Sequence, residues 1–319
     1  MRLVAFTSTL ADGPPGRCLG IERADGLLDL TDLIGADLGA VLAGTDPVAV
    51  LTDAESEAVY EGQAHVPMSD VRLLAPLAHP GKIVCVGLNY HDHCREQNVE
   101  PPDYPMLFAK FPNAINDPGM PVLRPRATEM FDLEAELAVV IGWRASRVSV
   151  ARAMDHVFGF TILNDITARD LQREDRQWLR AKGSDGFAPL GPAIVTRDEI
   201  GDPAKLAISS RVNGETWQDS TTADMIWDVA TLLAFITRSI TLEPGDIVAT
   251  GTPAGVGHYH QPPRYLAAGD VVACEIAGIG VLENTIVDEQ PRAEDHATAA
   301  GMAELAVEPM TTTATTPSD

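Results

Sequence analysis

Short apolar runs (LVAF, LLDL, AVLAG) alternate with Gly, Pro and Asp turns through residues 1–78 and carry no dense cluster of reactive side chains, which predicts a small N-terminal domain. The stretch LAPLAHPGK at 74–82 breaks this pattern with two prolines and a glycine, then launches the strand KIVCVGLNY. A main domain is expected over 79–290, built mostly of strands with a few helices. VSVARAMDHVFGF reads as a short helix giving way to the strand FTILND. ARDLQREDRQWLRA reads as an exposed helix with Thr167 and Asp170 as an imperfect capping pair. ADMIWDVATLLAFITRSI, apolar at 225, 226, 229, 232, 233 and 236, predicts an amphipathic helix. Turns at 242–246 and 266–270 each open a strand, DIVATG and DVVACEIAG. From 291 to 319 the chain is rich in Thr, Ala and Pro and poor in large apolar groups, the composition of a disordered tail.

The sharpest alternation is FDLEAELAVVIG at 131–142. On a strand, Asp132, Glu134 and Glu136 share one face, while Phe131, Leu133, Ala135, Leu137, Val139 and Ile141 fill the other. A helix would set neighbouring members of the acidic trio roughly 200° apart, so the strand reading is preferred. Like charges in a row repel and are costly to bury, so they persist only in water or around a cation. The alternation alone leaves both readings open. Asp165, at the end of FTILND and just before a predicted helix, offers a third carboxylate. With Glu134 and Glu136 it would make a set of hard oxygen donors suited to Mg²⁺ or Mn²⁺.

Further candidates follow the strand KIVCV. In GLNYHDHCREQN, His93 and Glu96 are three residues apart, so one helical turn pairs imidazole with carboxylate as a general base. A partly exposed histidine beside a surface glutamate is the plainer alternative, and His91 is a less well spaced competitor. Lys110 in LFAKFPNA and Lys182 in LRAKGSDGFAPLGP are either solvated amines or cations placed to neutralise a carboxylate or enolate. VATGTPAGVG lacks the Lys-Ser or Lys-Thr of a phosphate loop, and GIGVLEN lacks the third glycine of a dinucleotide fingerprint. Turn amides near Thr252 can still bind a small carboxylate.

Composition narrows the partners. A formal charge of −23 over 319 residues disfavours nucleic acid, whose binding needs clustered Lys and Arg, so any anionic small molecule must be held by a metal or a few placed cations. No apolar run reaches the roughly 18 residues of a membrane span, and the N-terminus has no basic segment leading into an apolar one. No membrane partner and a cytoplasmic location are expected. Cys18, Cys85, Cys94 and Cys274 show no CxxC spacing and read as free thiols.

Taken in order, GLNYHDH, LFAKFPNA, DLEAELAVVIG, NDITARDLQ, AKGSDGFAPLGP, VNGETWQ, LEPGDIVATGTPAGVG and GDVVACEIAGIGVLEN closely resemble the fumarylacetoacetate hydrolase family. That family includes acylpyruvate hydrolases, oxaloacetate decarboxylases and 2-hydroxyhepta-2,4-diene-1,7-dioate isomerases or hydratases. The resemblance runs over about 82–287. It implies an α+β fold, a mixed, largely β-stranded roll preceded by the small N-terminal domain, assembled as a homodimer with one Mg²⁺ or Mn²⁺ per subunit. It implies Glu134, Glu136 and Asp165 as metal ligands, His93 and Glu96 as a water-activating dyad, and Lys182 as the catalytic lysine. Lys110, Arg169, Gln172 and Thr252 then line the substrate site. The implied activity is hydrolysis of a carbon–carbon bond in an acylpyruvate-like 2-oxo acid such as fumarylpyruvate, with electrons passing into a metal-bound enolate. Decarboxylation of oxaloacetate, or isomerisation or hydration of unsaturated 2-oxo-dioates in aromatic catabolism, is the alternative on the same site. A non-catalytic ligand-binding member of the fold is a competing class. His258 and His260 match no role in that resemblance.

Overall fold

In the computed structural model, which describes residues 1–10 and 16–290, the strand Ala135–Ile141 lies deep in an eleven-stranded mixed sheet between Val157–Asn164 and Ile247–Ala249. Both of its faces are buried. Leu137, Val139 and Ile141 join Phe131, Leu133, Val272 and Leu282 in the core shared with a second, five-stranded sheet. Ala138 and Val140 point the other way, towards Leu19, Leu51 and Leu190. The alternation read in the sequence is thus real, but it sorts residues between two cores. The fold is α+β, mixed and largely β-stranded.

Residues 1–78 contribute strands to this same sheet. Arg2–Ser8 pairs antiparallel with Ala188–Thr196, carrying Cys18–Arg23 and Gly26–Asp29 outward, and Met1–Asp288 forms one compact unit. The helix Pro47–Tyr60 begins on Asp46, whose side chain accepts from the Ala49 N–H, and buries Leu51, Ala54 and Ala58. The tail expected over 291–319 lies outside the described residues.

Several elements are shorter than their apolar patterns. The acidic stretch is two strands: Phe131–Asp132 pairs with Thr167–Ala168, and the main sheet is entered only at Ala135, opposite Asn164. The expected exposed helix is broken into Arg169–Glu174 and Leu179–Lys182. Thr167 and Asp170 do not cap it. The Thr167 hydroxyl donates to the Asp165 carbonyl at 2.9 Å, and Asp170 accepts from the Thr128 hydroxyl at 2.6 Å. The amphipathic helix narrows to Val229–Ile236, started by Asp228, which accepts from the Thr231 N–H at 2.8 Å. Ahead of it Ile226 is tied down by its N–H to the Asn89 carbonyl, so those apolar positions are loop. Both predicted turns do open strands, Ile247–Ala249 and Val271–Ile276. The first is clamped by buried Asp246, which accepts from the Lys82 N–H at 2.8 Å and pairs with its ammonium at 2.7 Å.

Candidate metal centre and active-site cleft

Sheet register gathers the acids. Glu136 lies opposite Leu163, and Asp165 follows one residue beyond the last paired position, its N–H donating to the Glu134 carbonyl at 2.8 Å. One donor atom each from Glu134, Glu136 and Asp165 lie within 4.8 Å of one another, and all three side chains are buried. The solvated-face reading of this stretch therefore fails. Asp132 is fully buried too, and it does not belong to the trio. Its carboxylate takes the N–H groups of Gly257 at 2.8 Å and His258 at 3.1 Å and pairs with Arg169 Nε at 2.9 Å.

Buried lysines organise the trio. Lys182 Nζ donates to Glu134 at 2.9 Å, Asp165 at 2.9 Å and the Thr167 hydroxyl at 2.8 Å, which uses all three of its protons. Burial pulls the pKa of Lys182 down, but Asp165 and Glu134 outweigh it and the net shift is upward. Glu134 is opposed by burial yet held down to about 2 by Lys182 and Arg169, the latter at 2.7 Å. Lys110 lies behind Asp165, away from the cleft. Its ammonium is 2.7 Å from Asp165 Oδ1, but its protons go to the carbonyls of Ile166, Phe187 and Lys182. Burial, only partly offset by Asp165, lowers its pKa.

Two carboxylates retain acceptor capacity. Asp165 Oδ1 faces the Lys110 ammonium at 2.7 Å but accepts no hydrogen bond among the described residues. Glu136 has no cationic side chain in contact among the described residues and accepts only the Gly251 N–H at 2.8 Å. Its pKa is pushed well up by burial and then by the charges of Asp165 and Glu134. Three converging hard oxygens, with Glu136 uncompensated by any cation in contact among the described residues, fit a divalent ion such as Mg²⁺ or Mn²⁺.

A cleft of about 330 Å³ opens beside the trio. Its walls include His93, Glu134, Arg169, Gln172, Lys182 and Thr252, with an apolar side made by Val86, Met106, Phe108 and Trp178. His93 sits on the helix His91–Gln97, and its Nδ1 meets Glu96 at 2.5 Å. With that nitrogen carrying its proton to Glu96, Nε2 is the basic atom left for the cleft. The other Glu96 oxygen accepts the Gly255 N–H at 2.9 Å. Gly255 has φ +101°, and a Cβ there would lie 2.1 Å from the Trp217 carbonyl, so the position requires glycine. His91 is exposed and off this cleft. Thr252 lines the cleft, but its hydroxyl donates to the Ala135 carbonyl at 3.0 Å and accepts from Gln218 at 2.8 Å. Arg169 is held through Nε and Nη1, leaving Nη2 buried with no hydrogen-bond partner among the described residues.

Three contributors had no assigned place in the sequence reading: Asp132, His258 and Tyr259. Asp132 did show the signal of continuing the acidic alternation. His258 and Tyr259 line the cleft from the single 3₁₀ turn Gly257–Tyr259, too short for any periodicity to mark them. The Tyr259 hydroxyl donates to Gln97 at 3.0 Å, joining that loop to the His93 helix. His260 turns away, its ring hydrogen-bonding the Gly255 carbonyl at 3.0 Å and lying against Trp217.

Comparison with known proteins adds to this geometry. The profile of the family described as Fumarylacetoacetate (FAA) hydrolase C-terminal matches residues 82–287. A mitochondrial oxaloacetate tautomerase of Bos taurus is 42% identical over 291 residues, covering 90% of this chain and 92% of the relative. Among solved structures, the fumarylacetoacetate hydrolase of the psychrophile Exiguobacterium antarcticum is similar at TM-score 0.78 and 40% identity, covering 91% of this chain and 100% of that one. A 2-hydroxyhepta-2,4-diene-1,7-dioate isomerase from Mycobacterium marinum is similar at TM-score 0.69 and 35% identity with the same coverage.

Proposed function

Because the chain belongs to the fumarylacetoacetate hydrolase family, we propose that it is a divalent-metal-dependent enzyme that moves a proton at the carbon beside the 2-oxo group of a 2-oxo acid such as oxaloacetate. The observation that carries this reading is the His93–Glu96 pair on the wall of the same cleft that Glu134 enters. Glu134, Glu136 and Asp165 would hold Mg²⁺ or Mn²⁺, which supplies Lewis-acid polarisation of the 2-oxo group. The chain's own residues do the rest. Lys182 and Lys110 fix Asp165 and Glu134, while the free Nη2 of Arg169 and the side chain of Gln172 receive the carboxylate next to the 2-oxo group. His93 Nε2 takes the proton from the adjacent carbon and returns it to the oxygen, so a C–H bond breaks and an enol O–H forms. Glu96 stabilises the imidazolium between the two transfers.

The name of the 42%-identical bovine relative supports tautomerisation. A second reading, hydrolysis of an acylpyruvate carbon–carbon bond with His93 deprotonating water, is favoured by the apolar wall of Val86, Met106, Phe108 and Trp178, which suits a longer acyl chain. Decarboxylation of oxaloacetate needs the same electron acceptor and no base. A homodimer in the cytoplasm completes the reading. The test is a panel with added Mg²⁺ or Mn²⁺, following enol absorbance of oxaloacetate, cleavage of acylpyruvates and loss of CO₂, for the wild type and His93→Ala. Proton transfer at near wild-type rate in His93→Ala would sink the assignment of the base, and cleavage of acylpyruvates without oxaloacetate tautomerisation would establish the hydrolytic reading instead.

A further inference from the structure

We propose that Arg173 and His258 form a second anion-binding pole of the cleft, which selects 2-oxo acids carrying a far carboxylate over their monocarboxylate counterparts. This rests on the 2-oxo acid reading above and specifies the substrate's other end. Both residues line the cleft. Arg173 is exposed there, and its side chain makes no hydrogen bond or ion pair with any described residue, in a chain holding 46 acidic residues against 23 basic ones. An arginine left without a carboxylate in so acidic a protein, on a ligand-sized cleft, is available to one brought by a ligand.

Position supports the same role. Arg173 follows Arg169 by four residues on the helix Arg169–Glu174, so their Cβ atoms stand about 6 Å apart on one face. Arg169 is anchored at the acid trio by Asp132 and Glu134, which leaves Arg173 one turn farther along the wall. Three carbon–carbon bonds of about 1.5 Å separate the end carbons of a four-carbon dicarboxylic acid, a span two such guanidinium groups can bracket. His258 approaches from the loop. Its N–H is held by Asp132 at 3.1 Å and its Nδ1 by the Tyr265 hydroxyl at 2.9 Å. With Tyr265 donating to Nδ1, the ring proton stands on Nε2 and can be given to a carboxylate. Arg169 and Arg173 both bear on the imidazole, which after burial are the causes that keep its pKa below the ordinary value, so the arginines supply the charge and His258 a neutral donor.

The experiment is isothermal titration of the Mg²⁺-loaded protein with a matched pair, 2-oxoglutarate and 2-oxopentanoate, which differ only in the far carboxylate. The wild type is expected to bind 2-oxoglutarate at least about tenfold more tightly. Arg173→Gln and His258→Phe should each weaken 2-oxoglutarate by about tenfold or more while 2-oxopentanoate moves less than about twofold, and Arg173→Lys should recover part of the loss. Equal affinity of the wild type for the two acids would overturn this pole and leave the 2-oxo acid reading standing. Parallel weakening of both acids in the variants would overturn it as well. Failure of the wild type to bind either acid would overturn the 2-oxo acid reading, and this assignment with it.

Discussion

Replacing Glu136 by Gln should stabilise the metal-free protein while destroying its metal site. Glu136 is buried with no cationic side chain in contact among the described residues, and the donor atoms of Glu134 and Asp165 lie within 4.8 Å. At that separation and an effective dielectric of about 20, each like-charged neighbour costs about 3.5 kcal/mol. Lys182 offsets roughly one of the two, and Lys110 and Arg169 dilute the remainder to about 1–3 kcal/mol. The direction with pH follows from the raised pKa. The stability Glu136 lends is whole below the ordinary glutamate value of 4.5 and is lost as pH rises through its higher folded value. At pH 8, far above the ordinary glutamate value, burying this side chain therefore costs stability that Gln restores, while the Gln oxygen can keep the Gly251 N–H bond. For a chain of this size the gain amounts to about 2–5 °C in Tm. Thermal melting in EDTA at pH 8 and pH 5 measures it, and a repeat with Mg²⁺ should raise the wild type and leave Glu136→Gln unmoved. A variant that melts below the wild type in EDTA at pH 8, or gains as much from Mg²⁺, refutes the reasoning.

Other outcomes follow from the same contacts. Glu96→Gln should lower kcat by about 10²-fold with the Mg²⁺-induced melting shift intact, and a rate within threefold of wild type would remove Glu96 from the base. Lys182→Met strips three buried hydrogen bonds and leaves Glu134 to Arg169 alone and Asp165 to Lys110 alone, so urea unfolding of the metal-free protein should show a loss of about 3–5 kcal/mol. Gly255→Ala pushes a methyl into the Trp217 carbonyl and disturbs the N–H that steadies Glu96, so kcat should fall while Mg²⁺ still raises Tm. Unchanged kcat there would show that the loop does not position the base.

Much of the site was legible because it rests on local spacing. Glu134 and Glu136 stand two residues apart and stay close although only Glu136 lies on the strand Ala135–Ile141, and the three-residue step from His93 to Glu96 closes within one helical turn. What escaped depends on contacts distant in sequence. Nothing near Asp132 tells that Gly257 and His258 would bring their N–H groups to it across 125 and 126 residues. The long helix expected over 168–181 divides over 175–178, where Arg176 takes a left-handed φ of +58°, and the Thr167 hydroxyl that could have capped it is engaged by Lys182 and by the Asp165 carbonyl. The family resemblance put Lys110 on the wall of the substrate site, yet three carbonyls hold it behind Asp165.

Asp132 ties together things that would otherwise vary separately. One carboxylate aims Arg169 and also sets the backbone path at Gly257 and His258. A loop rebuilt to welcome a different substrate tail would release that carboxylate and swing the arginine on which the reacting end depends. Diversification at the tail end is thereby confined to exchanging the side chains at 258 and 259 on an unaltered main-chain trace, and loop grafts from relatives should fail unless they keep both amide donors.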